Sequence, residues 1–307
     1  MTQETNRASV ARLADRGTVR VSGPDAPKFL QGLVTNDVEG LVTNPDDLAF
    51  AASTAHAAIL SPQGKILFEF FCVRTLDGFV LDVLREKVPD LVKRLSMYKL
   101  RAAVEIKDVS EDYALLALWG PNACSSGPTK GTIAFHDPRH PALGQRILAE
   151  ARFATDIASA TNGVRSPPEA YHAHRIALGV PEGGKDYDFG DAYPHEANFD
   201  LFNGVSFTKG CYVGQEIVAR MQHKTVVRKR VVRVSGQSDL TQGSVIKHRD
   251  VSLGRIGSVD GPNGLALIRH DRFVEALALN EPIVADGVPI AVKTEDLRRY
   301  LDTVATR

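Results

Sequence analysis

Between Lys65 and Val109 the chain runs strand, strand, helix, strand, and that order constrains the fold more than any other feature. Lys65 to Arg74 alternates in hydrophobicity, Asp77-Gly78 supplies a turn, and Phe79 to Leu84 returns as a second strand. Val88, Leu91, Val92 and Leu95 then recur at helical spacing and share one apolar face, after which Val104 to Val109 is again strand-like. Strands joined by a tight turn pair antiparallel, and the lack of strand-then-helix alternation excludes a doubly wound parallel sheet. The expected class is α+β.

The flanking segments extend this pattern. Val19 to Ser22 is a short strand, and Gly23-Pro24-Asp25 leads into a helix carrying Phe29, Leu30, Leu33 and Val34, with Asp25 as N-cap and Pro27 in the first turn. Ser61-Pro62-Gln63-Gly64 has proline and glycine at the second and fourth positions of a turn. Tyr113 to Trp119 is a strand, whereas Ser125 to Pro141, rich in glycine and proline, reads as surface loop. A helix from Glu169 to Leu178 stops at Gly179, and Pro181 to Asp200 forms a long acidic loop of the kind that is more often functional than idle. From Arg228 onward short strands separated by glycine turns replace helices: Val231 to Ser235, Gly254 to Val259, Leu265 to Arg269, and a hairpin at Asp286-Gly287. The expected division is therefore residues 1–228, with a subdomain near 46–112, followed by a small β-barrel or sandwich over 229–307.

Thirty-seven lysines and arginines balance 37 aspartates and glutamates, so no global field favours nucleic acid or an anionic membrane. No apolar run reaches the roughly 20 residues of a membrane helix, and Met1 to Asp15 lacks the apolar core of a secretory signal, which makes the cytoplasm the expected location. Cys72, Cys124 and Cys211 are far apart and form no C-x-x-C pair, so neither a disulfide framework nor a self-contained iron–sulfur site is expected. No metal site is expected either: His172 and His174 point to different sides of their helix, and Asp186, Asp188 and Asp191 lack the terminal glutamate of a calcium loop.

The most informative stretch is FTKGCYVGQEIVARMQH, Phe207 to His223. Gly210 and Gly214 bracket Cys211, Lys209 stands two residues before it, and a helix is expected to start near Gln215. A helix N-terminus and an ammonium both favour thiolate, which makes a reactive thiol at Cys211 reasonable; a small buried cysteine in a turn fits the spacing as well. Cys72 shares a strand face with Ile66, Phe68 and Phe70 and belongs to a core, whereas Cys124 carries no signal. Glu196, in Tyr193-Pro194-His195-Glu196-Ala197-Asn198, is a carboxylate able to accept two parallel hydrogen bonds from an aminopyrimidine edge, or simply to join a surface ion pair. Arg220, Lys224, Arg228, Lys229, Arg230 and Arg233 either meet an anionic ligand or line a solvated strand.

The segment KGCYVGQE at 209–216 resembles the signature of the YgfZ branch of the glycine-cleavage T-protein family. The same resemblance runs through SGPDAPKFLQGLVTND at 22–37, SPQGK at 61–65, AHRIALGVPEGGKDYDFGDAYPHEANFD at 173–200 and VRKR at 227–230. It implies a three-domain ring, with two α+β folate-binding subdomains, a C-terminal β-barrel and tetrahydrofolate in the opening. It also implies Cys211 as the working residue and Glu196 as the acid that holds the pterin; Lys209, beside Cys211, is expected to assist it, and Gln215, Tyr212 and Arg228 are the further expected folate-binding residues. The implied role is an accessory factor for assembly or repair of iron–sulfur proteins, with radical-SAM tRNA-modifying enzymes among the clients. Where T-proteins carry paired acids after their glycine turn, this chain has Phe68-Glu69, and phenylalanine moves no proton. The alternative is an aminomethyl or methyl transferase in which Glu69 replaces the missing acid.

Overall fold

The computed structural model describes residues 7–41, 53–123, 131–153, 163–224, 226–279 and 281–298. Cys124 lies outside them, as does the side chain of Lys224. The fold separates into two compact units. The first comprises residues 1–60, 67–171 and 202–213, and the second comprises 61–66, 172–201 and 214–307.

In chain order, the strands that build the first unit are β1 (Ser9–Arg12), β2 (Arg16–Ser22), β3 (Thr54–Leu60), β4 (Ile66–Thr75), β5 (Gly78–Leu84), β6 (Glu105–Asp108), β7 (Tyr113–Trp119), β8 (Thr132–His136), β9 (Gln145–Glu150) and β10 (Val164–Arg165). They form two five-stranded sheets, in the orders β3-β4-β5-β2-β6 and β10-β1-β7-β9-β8. β2 pairs antiparallel with β5 and β6, β4 with β5, β7 with β1 and β9, and β8 with β9, whereas β1 and β10 run parallel. The β4–β5 hairpin closes one residue earlier than the sequence implies, since Thr75 pairs with Gly78 and leaves Leu76-Asp77 as the loop. Gly78 is obligatory there: a Cβ would stand 2.2 Å from the Val21 carbonyl oxygen.

Alternation along β4 sorts its side chains. Phe68, Phe70 and Cys72 enter a core with Val19, Val21 and Leu81, covered by Leu30 of α1 (Ala26–Gln31) and by Val88, Leu91 and Leu95 of α2 (Val88–Lys99). Cys72 is fully buried, as the strand pattern requires, and burial pushes its thiol up to about 12. Phe71 belongs to the opposite face of the strand. There Arg146 lies 4.3 Å and Arg139 4.9 Å from its ring centroid. Arg146 bonds Asp82 at 2.8 Å and Asp137 at 3.1 Å, Arg16 bonds Asp82 at 2.6 Å, and Arg139 bonds Asp137 at 2.8 Å. All five are buried, and they link β2 and β5 of one sheet to β9 of the other.

Two sequence expectations need correction here. The stretch 125–141 is not all loop, because Thr132–His136 is the strand β8, paired with β9. Asp25 occupies the N-cap position of α1 without a side-chain cap bond, and its carboxylate instead accepts the Ala103 amide at 2.7 Å.

In the second unit, the Ser61–Gly64 turn closes through the Gly64 amide on the Ser61 carbonyl, 2.8 Å, with Gly64 at φ +78°. A Cβ at Gly64 would sit 2.9 Å from that of Ile217, so the turn lies flush on the helix that Ile217 occupies. α3 (Pro168–Leu178) ends at Gly179, whose φ of +78° suits a helix stop. The loop after it is held by Asp186, which accepts from Arg175 at 2.7 Å, the Glu182 amide at 2.8 Å and the Ser258 amide at 2.7 Å. α4 (Gln215–Lys224) starts where the sequence places it. A closed barrel follows, in the order β11-β14-β13-β12-β15-β16, from β11 (Lys229–Gly236), β12 (Val245–His248), β13 (Val251–Asp260), β14 (Asn263–Arg269), β15 (Val284–Ala285) and β16 (Val288–Val292). Its core of Val232, Val234, Ile246, Ile256, Ala266 and Ile268 takes in Phe273 of α5 (His270–Ala278).

Candidate functional site

The residues singled out in the sequence fall in both units: Lys209, Cys211 and Tyr212 in the first, Glu196, Gln215 and Arg228 in the second. In the first unit the loop before Cys211 is pinned to the segment that follows α1. Thr35 donates its hydroxyl to the Gly204 carbonyl at 2.6 Å, the Ser206 amide donates to the Thr35 carbonyl at 3.0 Å, and Asn36 donates to the Asn203 carbonyl at 2.6 Å. Lys209 completes the attachment. Its ammonium donates to the carbonyls of Gln31 at 2.7 Å, Val34 at 2.6 Å and Asn36 at 2.9 Å. Gln31 is the last residue of α1, where carbonyls are left unpaired and a cation is a favoured partner. Burial lowers the Lys209 pKa to about 8, a shift opposed by Asp37, Cys72 and Glu39.

With Lys209 turned toward backbone, Cys211 is left exposed at the top of the loop, and the buried-cysteine alternative is excluded. Space beside Gly210 is open: a Cβ there would meet nothing within 4 Å. The Lys209 ammonium also lies 5.1 Å from the Tyr212 ring centroid, and burial pushes the Tyr212 phenol up to about 12. The arrangement presents a solvent-reachable sulfur from a rigid base.

Glu69 has a different setting. Its carboxylate meets His56 Nε2 at 2.8 Å, while His56 Nδ1 lies 3.2 Å from the Phe202 carbonyl oxygen, and both side chains are buried. An acid closed into the interior with a histidine partner is poorly placed to serve a substrate. His56 had no distinguishing signal in the sequence, since its partner stands in the next strand.

In the second unit, Glu196 is half-buried within the turn that follows Tyr193. One carboxylate oxygen accepts the Tyr193 amide at 3.0 Å, and the other has no protein donor among the described residues. The residue's own carbonyl accepts the Val231 amide at 2.9 Å, which fixes the turn to the barrel strand β11. Burial raises the Glu196 pKa, against the Tyr193 amide and the charges of Lys229 and Lys65, while Asp191 adds to the rise. The Lys65 ammonium stands 3.5 Å from the Tyr193 ring centroid and donates to the Asp191 carbonyl. A carboxylate with one oxygen fixed and one open, beside two cations and an aromatic ring, is suited to a planar ligand with paired N–H donors.

Arg228 is exposed, with its carbonyl accepting the His270 amide at 2.8 Å, and Gln215 opens α4 half-buried. Of the remaining basic series, Arg230 pairs with Asp200 at 2.7 Å and Arg233 with Asp296 at 2.9 Å, so these two serve the fold. Asp188 likewise pairs with Arg255 at 2.7 Å.

Residues 4–125 match the family described as the GCVT N-terminal domain, and residues 228–298 match the CAF17 C-terminal beta-barrel domain. The glycine cleavage system aminomethyltransferase T from Bartonella henselae superposes with a TM-score of 0.73, over 96% of this chain and 87% of that one. At 14% identity the likeness is one of fold, and it establishes the aminomethyltransferase T type, with α+β sheets and a closed six-stranded barrel. The iron–sulfur cluster assembly factor IBA57 homolog, mitochondrial, of Mycosarcoma maydis is 38% identical over 74% of this chain and 57% of its own length. The iron–sulfur cluster assembly factor IBA57, mitochondrial, of Homo sapiens is 32% identical over 92% of this chain and 82% of its own length. The chain belongs to the IBA57 family.

Two expectations change with that result. The T-protein-like resemblance holds, but these relatives carry the name IBA57 and not YgfZ. The cytoplasmic location inferred from the absence of an apolar leader is overturned, because these IBA57 relatives are mitochondrial by name. Mitochondrial targeting segments are amphipathic and need no long apolar run, so that criterion was blind to them. The chain spans little more than half the length of the Mycosarcoma maydis IBA57 homolog.

Proposed function

We propose that this chain is a tetrahydrofolate-binding accessory factor for assembly or repair of iron–sulfur cluster proteins, working through Cys211. The observation that carries the reading is Glu196, half-buried with one oxygen on the Tyr193 amide and, among the described residues, no protein donor to the other. A reduced pterin offers two adjacent N–H donors to such a group, and the cations Lys65 and Lys229 favour its charged form. Gln215, Tyr212 and Arg228 are the further residues assigned to the folate. A bound reduced folate supplies one-carbon carrier chemistry. The chain's own contribution is a positioned thiol, and the client is an iron–sulfur protein, with radical-SAM tRNA-modifying enzymes the proposed class. The relatives' names support the cluster-assembly role. The enclosed His56–Glu69 pair speaks against the aminomethyl transferase alternative.

Complementation and ligand binding test the two halves separately. In a strain lacking the protein, Cys211→Ala is expected to leave cluster-enzyme activity unrestored, whereas wild type restores it. Titration with tetrahydrofolate, followed by fluorescence, is expected to weaken at least tenfold in Glu196→Gln, since a charged hydrogen bond contributes about 1.5–3 kcal/mol. Full rescue by the alanine variant removes the role of the thiol. Unchanged folate affinity in the glutamine variant removes Glu196 from the site.

A further inference from the structure

The C-terminal end of α2 carries a feature that neither folate nor Cys211 uses. Leu100, which ends this helix, is 88% exposed and holds φ +42°, a conformation that favours glycine. A leucine there is strained and buries almost nothing. Met97 is 64% exposed one turn earlier, and Tyr98 is exposed between them. Leu76, in the β4–β5 loop, is also 64% exposed, and contacts place its loop at the same end of the sheet. The Gly23 amide donates to the Asp77 carbonyl at 2.9 Å, and Gly23 packs so tightly on Ala103 that a Cβ would stand 2.3 Å from its carbonyl oxygen.

Lys93, Arg94 and Lys99 lie in the last turns of α2 and Arg101 directly after it, and none of them has an ion-pair partner among the described residues. Other exposed arginines do pair: Arg85 meets Glu111, and Arg249 and Arg255 each hold a carboxylate. Four cations without ion-pair partners among the described residues thus accompany exposed leucine, methionine and tyrosine at this helix end. Apolar anchors within a charged rim are the anatomy of a protein interface.

We propose that the end of α2, with Leu100 as anchor, is a docking surface for a folded protein that presents carboxylates around an apolar cleft. A membrane fits less well. The face of α2 that would enter a bilayer, Val88, Leu91 and Leu95, is already packed on the sheet. A second copy of this chain in a two-fold contact fits less well too, because it would bring the same cations together. Charge steers the partner, and the strained leucine fills its cleft.

The test begins with the full-length chain carrying a photo-cross-linking phenylalanine analogue at Leu100 in its native cell, against the same analogue at exposed Glu216. The captured protein is then purified and titrated with wild type, Leu100→Gly and the pair Lys93→Glu with Arg101→Glu. Binding is expected to fall at least tenfold in each variant, to weaken with salt in wild type, and to recover in the charge-reversed pair when the partner's carboxylates become lysines. Leu100→Gly is expected to raise the melting temperature by relieving the backbone while it weakens binding, which a purely structural residue would not do. Absence of a Leu100-specific adduct overturns the proposal, as does a captured protein indifferent to both variants. Leu100-dependent sedimentation with vesicles of phosphatidylcholine and phosphatidylglycerol, or a concentration-dependent dimer lost in Leu100→Gly, also overturns it by assigning the patch to a lipid or to a second copy.

Discussion

Lys209 shows how a motif can be legible while its physics is not. The sequence places it two residues from Cys211, where a cation promotes a thiolate, but the ammonium bonds carbonyls 173 to 178 residues away in the chain. No local spacing encodes that partnership. Lys209→Met keeps the stem and deletes three hydrogen bonds, so it is expected to cost about 1–3 kcal/mol in urea denaturation and to lower hydrogen-exchange protection over residues 203–212. The pH dependence has a definite sign. Burial lowers the folded pKa to about 8 from 10.5, so between those values the unfolded chain binds the extra proton and stability rises with pH. That part of the slope is expected to vanish in Lys209→Met. Glu196 runs the other way: its folded pKa is raised by burial, so its contribution is full below the unfolded value and fades as pH rises through the folded one. Glu196→Gln keeps an acceptor for the Tyr193 amide and discards the desolvated charge. Its melting temperature at neutral pH is expected to equal or exceed that of wild type even as folate affinity drops.

Elements were legible where periodicity was unbroken. β4, β5, α2 and α4 follow from alternation or helical spacing together with a glycine stop, because in each the buried face is written in consecutive residues. β8 was hidden since its five residues, Thr132 to His136, sit among glycines and prolines that dominate any window drawn around them. Asp25 misled for a different reason: its carboxylate had two amide classes to choose from, and the Ala103 amide, 78 residues on, prevailed over the helix's own. Proline and glycine mark the Ser61–Gly64 turn in the sequence, whereas its close approach to α4 is written in no local pattern. Gly64→Ala forces a left-handed alanine and a 2.9 Å approach to the Ile217 Cβ at the same time. A destabilisation of about 2–3 kcal/mol is expected, combining αL strain with overpacking, and thermal unfolding should report it. Because Glu196 and Lys65 share this unit with the turn, folate affinity is expected to fall along with stability.

Across the first unit, one buried charge cluster joins both sheets to the Cys211 loop. Arg146 on β9 is shared by Asp82 and Asp137, and Pro138, beside that second aspartate, accepts the Asn203 side-chain amide at 2.8 Å. The loop that carries Cys211 therefore rests on residues whose order depends on Arg146. No local pattern encodes this cluster, since its members stand 64 and 9 residues from Arg146 and each one alone resembles an ordinary surface charge. Burial alone would raise the Asp137 pKa, but Arg139 and Arg146 hold it well below the usual carboxylate range. A carboxylate depressed in the folded state adds stability above its unfolded pKa and loses it as pH falls toward the folded one. Arg146→Met strips one partner from each of two buried carboxylates, and a cost of about 3 kcal/mol is expected. Arg146→Lys should recover little, because a point charge cannot bridge both carboxylates as the guanidinium fork does. Acid unfolding of Arg146→Met is expected to begin at higher pH than in wild type. If Arg146 supports the thiol loop as the contacts imply, exchange protection over 203–212 should fall in the same variant at neutral pH, where the rest of the unit stays folded. Protection equal to that of wild type would confine the cluster to joining the sheets and leave the loop's order to contacts such as those of Lys209, Thr35 and Asn36.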